Sequence, residues 1–310
     1  MVRISFRRRR SRIAHTSSRS ADQQSFDFTG SVRATTVRFR RRWLPSGGTR
    51  RSSRPWSCSS SPNAGCSSTT RWRSGCRVSS RATGTTAHTE EEIVRAGLGH
   101  PPEFQPGQGW SYSNTGYDLV GLVIKAVTGR TWYDEVDRRI VRPLGLRDTY
   151  FPGTDPRIAE PHAHGYTRFT AGEYTDTTEL IDADASGGYI STLKDLDVIV
   201  RALFDGRLLG PAQRREMMRT VPTDGSADEF WPNARYGLGL FSSDLPCGGT
   251  VWIPSGDQIG YKTRTGVLPG GRRSVVVSMS SQLNDSMPAA LAQEQAAKHL
   301  IDNALCPAAR

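Results

Sequence analysis

Pro106-Gly107-Gln108-Gly109-Trp110-Ser111-Tyr112-Ser113-Asn114-Thr115-Gly116-Tyr117 is the stretch from which the rest of the chain is read. Pro101-Pro102 and Pro106-Gly107 force an extended loop, because proline fixes its own φ and disfavours helix in the residue before it. Asn114 to Gly116 then reads as a turn into a helix. Tyr117, Val120, Ile124 and Val127 recur at helical spacing, with Leu119 and Val123 beside them. Thr128-Gly129 closes that helix, Gly129 serving as the C-cap. The pattern places two polar side chains, Tyr112 and Asn114, at a helix entrance.

Working outward, residues 90–94 begin a short helix that ends near Gly97-Leu98-Gly99. Residues 132–141 predict a helix stopped by Pro143, and residues 195–203 and 211–218 predict two more. The period then changes. Residues 249–252, 260–267 and 273–280 read as strands, the last two joined by a tight hairpin at Leu268-Pro269-Gly270-Gly271. Residues 287–305 form a closing amphipathic helix with Pro288 in its first turn. This order predicts an α/β (α+β) domain, an antiparallel sheet with helices packed against it.

Charge and composition divide the chain in two. Residues 1–89 hold 19 Arg, no Lys and 2 acidic residues, a net of +17. Residues 90–310 hold 22 basic and 28 acidic residues, a net of −6. Residues 1–90 also hold 19 Ser, one Leu (Leu44) and two Ile (Ile4, Ile13). So little apolar surface does not offset the entropy of ordering, and disorder is the expectation there. Residues 90–310 suit a single globular domain. No run approaches the roughly 20 apolar residues of a membrane span. Residues 1–30 have a basic start without the apolar core of a Sec signal, so the sequence leaves the compartment open. Three of the five Cys lie in the Ser/Arg-rich part. Cys247 and Cys306 lie in the globular part, where they could pair.

The Pro106–Asn114 loop, Val127-Thr128-Gly129 and Pro143-Leu144-Gly145-Leu146 with Thr149 occur in one order. Ser186-Gly187-Gly188-Tyr189 with Ser191-Thr192, then Tyr236-Gly237-Leu238-Gly239-Leu240, continue it. Together they resemble the serine β-lactamase and D-alanyl-D-alanine carboxypeptidase family, in its class C-like, Streptomyces-type branch, over about residues 90–306. The resemblance implies a penicillin-binding, β-lactamase-type fold. It implies acyl transfer through a serine acyl-enzyme on a β-lactam, a D-Ala-D-Ala peptide or a related ester, with no cofactor or metal, and action outside the cytoplasm near the cell wall. It implies that Tyr112 is the proton shuttle or general base and that Asn114 holds substrate. Cys247 and Cys306 match positions that form a disulfide in the secreted carboxypeptidases. By residue type alone, Tyr112 also reads as a buried tyrosine and Asn114 as a helix cap.

Two elements of that chemistry are altered. The family needs a Ser-x-x-Lys nucleophile ahead of Tyr112. The chain has four Lys: Lys125, Lys194, Lys262 and Lys298. None serves. Ser191-Thr192-Leu193-Lys194 comes after Tyr112 and reads as a cap opening the next helix. Ser31-Val32-Arg33-Ala34, after Gly30, has Ala34 in place of the base. The family's Lys/His-Thr/Ser-Gly strand motif aligns with Pro254-Ser255-Gly256. Pro254 has neither charge nor N–H, leaving Ser255 and Gly256 as substrate-binding candidates. The chain as written is therefore expected to be inactive, a pseudoenzyme whose nucleophile is not identified.

The 1–89 segment suits an out-of-frame translation. G- and C-rich codons for residues 57–65, read from the third base, permit Leu-Gln-Leu-Val-Ala-Glu-Arg-Arg, a sequence similar to what the family carries after its nucleophile. The alternative is nucleic-acid binding by Arg7-Arg8-Arg9-Arg10 and its neighbours. The aromatic residues that would stack on bases show no repeat there, which weighs against it. His162-Ala163-His164 lacks an evident third metal ligand and reads as a loop. Tyr261, Arg264 and Arg272-Arg273 are expected on or beside edge strands.

Overall fold

A computed structural model describes residues 2–8, 23–26, 88–181, 183–223 and 231–306. The helical half begins with α1 (Glu90–Gly97), which carries a reciprocal cap. Thr89 accepts from the Glu92 N–H, and the Glu92 carboxylate accepts from the Thr89 N–H. It packs on α2 (Asn114–Thr128), whose C-cap Gly129 has φ 71°, a left-handed value that glycine adopts without steric cost. Next comes α3 (Trp132–Val136), then a single π turn (Asp137–Val141) and α4 (Arg142–Leu144). Pro143 does not stop this helix at its edge, as expected from sequence. It sits inside the final turn, after the backbone has widened into the π turn.

The remaining helices are α5 (Leu193–Asp205), α6 (Pro211–Met217) and α7 (Met287–Leu305). The strands are β1 (Val2–Arg8), β2 (Gln23–Phe26), β3 (Tyr166–Thr170), β4 (Glu173–Asp176), β5 (Tyr189–Thr192), β6 (Val221–Pro222), β7 (Arg235–Tyr236), β8 (Phe241–Asp244), β9 (Thr250–Ile253), β10 (Gly256–Gln258), β11 (Tyr261–Val267), β12 (Arg273–Met279) and β13 (Ser281–Leu283). An antiparallel sheet runs β1-β12-β11-β9-β8-β7-β6, with β10 added against β11. β2 pairs with β5, and β13-β3-β4 form a small third sheet.

Composition predicts disorder for residues 1–89, yet β1 and β2 lie within that stretch. β1 takes a place through backbone pairing to β12, with Val2 opposite Met279 and Arg8 opposite Arg273. Main-chain hydrogen bonds do not depend on the Leu and Ile content that composition measures. Ser31 to Ala34 and residues 57–65 lie outside the described residues.

Alternation along β11 and β12 sets the core. Val275, Val277 and Met279 face α7, where Ala297, Ile301 and Leu305 meet Val251 and Ile253. Val276 faces the other way and packs on Leu196 and Val200 of α5. Gly266 allows the closest approach, since a Cβ there would lie 2.6 Å from Ile301 Cγ2. The β11–β12 hairpin turns at Leu268-Pro269-Gly270-Gly271, as the sequence predicts, through a 3₁₀ turn at Pro269–Gly271 with Gly270 at φ 79°. β11 is an interior strand with the short β10 beside it, and there Tyr261 and Arg264 are buried. The disulfide Cys247–Cys306 ties the end of α7 to the β8–β9 turn, with Cα atoms 5.8 Å apart.

Candidate active site

Tyr112 and Asn114 meet at the entrance of α2. The cap itself is Ser113, whose Oγ accepts from the Gly116 N–H at 3.1 Å. Asn114 is therefore not the cap, and Tyr112 is not buried: 39% of it is exposed. With Ser113 holding the turn, the Tyr112 hydroxyl donates to Asn114 Oδ1 at 2.6 Å. Asn114 Nδ2 makes no hydrogen bond among the described residues and remains a donor for a ligand carbonyl.

An aromatic wall backs this pair. The Tyr112 and Tyr117 rings are 6.5 Å apart, and the Tyr117 and Tyr236 hydroxyls 3.3 Å apart. Trp110 lies over Tyr236 at 4.9 Å and edge-on to Phe241 at 5.8 Å. Burial, then the Tyr236 hydroxyl, drives the Tyr117 phenol far above its ordinary pKa. Tyr117 forms part of this wall, its hydroxyl against that of Tyr236. Of Tyr236-Gly237-Leu238-Gly239, only Tyr236 is in a strand, and Gly237 opens the turn to β8.

Pro254 interrupts the strand that the resemblance marks as substrate-binding. β9 ends at Ile253, and the chain resumes as β10 at Gly256. The Pro254 carbonyl accepts from Thr265 Oγ1. Gly256 is registered opposite Thr263 and Asp257 opposite Lys262. Sequence reasoning missed the charges that hold β10. Arg264, Lys262, Asp257 and Glu294 form one cluster behind the sheet (Lys262 Nζ–Glu294 Oε1, 2.5 Å; Arg264 Nε–Glu294 Oε2, 2.7 Å). Only the spacing of two basic residues at i, i+2 on β11 hinted at it.

The Ser191-x-x-Lys194 match is taken apart by the fold. Ser191 is 1% exposed on β5, and its Oγ lies 2.8 Å from Thr149 Oγ1. Thr192 caps α5, and Lys194 is exposed. The buried Asp195 carboxylate accepts from the Asp148 N–H and the Thr149 hydroxyl, both at 3.0 Å. His164 Nδ1 lies 3.0 Å from Asp176, and no group of three metal-ligating side chains forms among the described residues. Nor does any described helix have the length and apolarity to cross a membrane.

Solved structures share this architecture. A D-stereospecific amidohydrolase from Streptomyces sp. superposes with a TM-score of 0.62 at 33% identity, over 72% of this chain and 63% of that one. A D-amino acid amidase from Ochrobactrum anthropi gives 0.61 at 26% identity, over 72% and 64%. Among curated proteins, penicillin-binding protein 4* of Bacillus subtilis is 26% identical over 172 residues, 52% of this chain and 37% of that protein. The chain thus spans little more than a third of that relative and under two thirds of the two hydrolases. The sequence profile described as Beta-lactamase matches residues 61–300. This match, over more than half of the chain, establishes that the chain belongs to the Beta-lactamase family.

Proposed function

We propose that this polypeptide keeps the ligand-holding half of a serine acyl-transfer site and lacks the acylating half. The observation that carries the reading is the Tyr112–Asn114 pair, intact at 2.6 Å, in 310 residues that place no Ser-x-x-Lys ahead of it. A tyrosine that shuttles protons needs a nucleophile to relieve of one and a base to pass it to. Here the Tyr112 proton goes to an amide oxygen. Ser255 and Gly256 would contribute a hydroxyl and a backbone N–H beside a ligand. Pro254 supplies no charge for its carboxylate. Intact-mass measurement of the full chain after incubation with benzylpenicillin is expected to show unmodified protein; a covalent adduct overturns the proposal.

A second reading follows from the unused Asn114 Nδ2. The site binds a D-Ala-D-Ala-type peptide without turning it over. One lost hydrogen bond of about 1 kcal/mol predicts roughly fivefold weaker binding of the dipeptide D-Ala-D-Ala to Asn114→Ala. Equal affinity in the variant excludes this reading. For residues 1–89, the out-of-frame origin predicts that the coding DNA spells the family's words in the shifted frame; other codons there reject it.

A further inference from the structure

A cavity of about 220 Å³ opens in the helical half, beyond Tyr117. Val120, Gly121 and Ile124 of α2 form one wall. Trp132, Val136 and Ile140 form another, and Tyr189 and Ile199 close the base. Its few polar side chains are already bonded elsewhere. The Tyr117 hydroxyl lies against Tyr236, Thr149 bonds Ser191 and Asp195, and Trp132 Nε1 donates to Glu90. A water needs two to four polar partners, so this lining does not hold water well. An apolar cavity of roughly 150 Å³ is already large enough to stay dry and take up benzene.

We propose that this cavity is a binding site for a small apolar ring, from a single benzene ring up to an indole. The rings of the wall favour a flat aromatic over a branched chain. Two of the lining rings, Trp132 and Tyr189, stand edge-on at 5.8 Å, and Phe151 packs edge-on against Trp132 at 4.7 Å from outside the cavity. Rings prefer such edge-to-face or offset neighbours. At Gly121 α2 packs closely on this wall, since a Cβ there would come within 2.7 Å of Ala185 and 3.1 Å of Trp132. The site goes beyond the proposed function because it uses neither Asn114 nor Ser255. Tyr117 is the one residue that it shares with the aromatic wall behind Tyr112.

The test uses the full chain, with indole as the probe and calorimetric titration alongside thermal unfolding. At ten times Kd, indole is expected to raise Tm by about 3–5 °C. Val120→Phe and, separately, Ile124→Phe fill the cavity and are expected to abolish both the titration heat and the shift. Either variant that folds serves, as judged by its far-ultraviolet circular dichroism. Val123→Phe, on the exposed side of α2, should bind indole like the parent. No binding to the parent chain, or unchanged binding in a folded cavity-filling variant, overturns the proposal. Benzylpenicillin reactivity plays no part in the readout, so failure here is separable from failure of the proposed function.

Discussion

Arg264 on β11 grips Asp257 on β10 through both terminal nitrogens, at 2.6 and 3.0 Å. Arg264 Nη1 also donates to the Gly256 carbonyl at 3.2 Å. These bonds sit where Pro254 breaks the strand, so a side-chain clamp fastens what a continuous ladder would otherwise hold. Removing one partner of a buried pair costs about 3–5 kcal/mol. Arg264→Ala is expected at the lower end, since Glu294 keeps Lys262 and Asp257 keeps some solvent. Urea denaturation midpoints measure it; a loss below about 1 kcal/mol would show that the clamp is decorative.

The same cluster sets an acid limit. Burial works to raise the Glu294 carboxyl, but the Arg264 guanidinium and then Lys262 outweigh it and hold it below its ordinary 4.5. A carboxyl depressed in the folded state stabilises fully above its unfolded pKa, and the gain is lost as pH falls through the folded one. Stability is therefore expected to decline progressively below about pH 4.5. Glu294→Gln should be less stable at neutral pH and show a flatter acid limb. Parallel acid limbs for the two proteins would contradict this.

Cys247 and Cys306 close a loop with a sequence separation of 59. Chain entropy gives such a cross-link about 4 kcal/mol. Reductant is expected to lower the unfolding free energy of the parent protein, taken from urea denaturation, by about that amount and to leave Cys306→Ser unchanged. A parent midpoint indifferent to reductant would mean that the bridge contributes nothing.

Asp195 and Lys194 are neighbours with opposite fates. Asp195→Ala leaves the Asp148 N–H without its acceptor and the Thr149 hydroxyl with Ser191 alone, at a cost of about 1–3 kcal/mol. Lys194→Ala, at an exposed position, is expected within about 0.5 kcal/mol of the parent. A large Lys194 effect on stability, with a small Asp195 effect, would reverse the structural assignment of this segment.

Ser113 determines where Tyr112 and Asn114 meet. Ser113→Ala is expected to cost about 1 kcal/mol through the lost cap. It should also weaken D-Ala-D-Ala binding by more than the matching cap change Thr131→Ala on α3. Equal binding in the two variants would show that the cap does not position the pair.

The sequence by itself determined much of the helical half and the Tyr112–Asn114 pair. Breakers and 3.6-residue spacing are local properties, and the α7 boundaries and the end of α2 follow from them, although α2 already begins at Asn114, in residues that read as a turn. The absence of a usable Ser-x-x-Lys was equally legible, because four Lys can be checked one by one. Tertiary structure alone decided that Tyr112 is exposed, that Ser191 is buried while Lys194 is not, and that β11 is interior with two charges behind it. Those facts depend on which face of a strand meets α7 or α5, a long-range choice that no local period encodes. The cavity behind Tyr117 belongs to the same class: its walls come from α2, α3, β5 and α5, and only packing brings them around one volume.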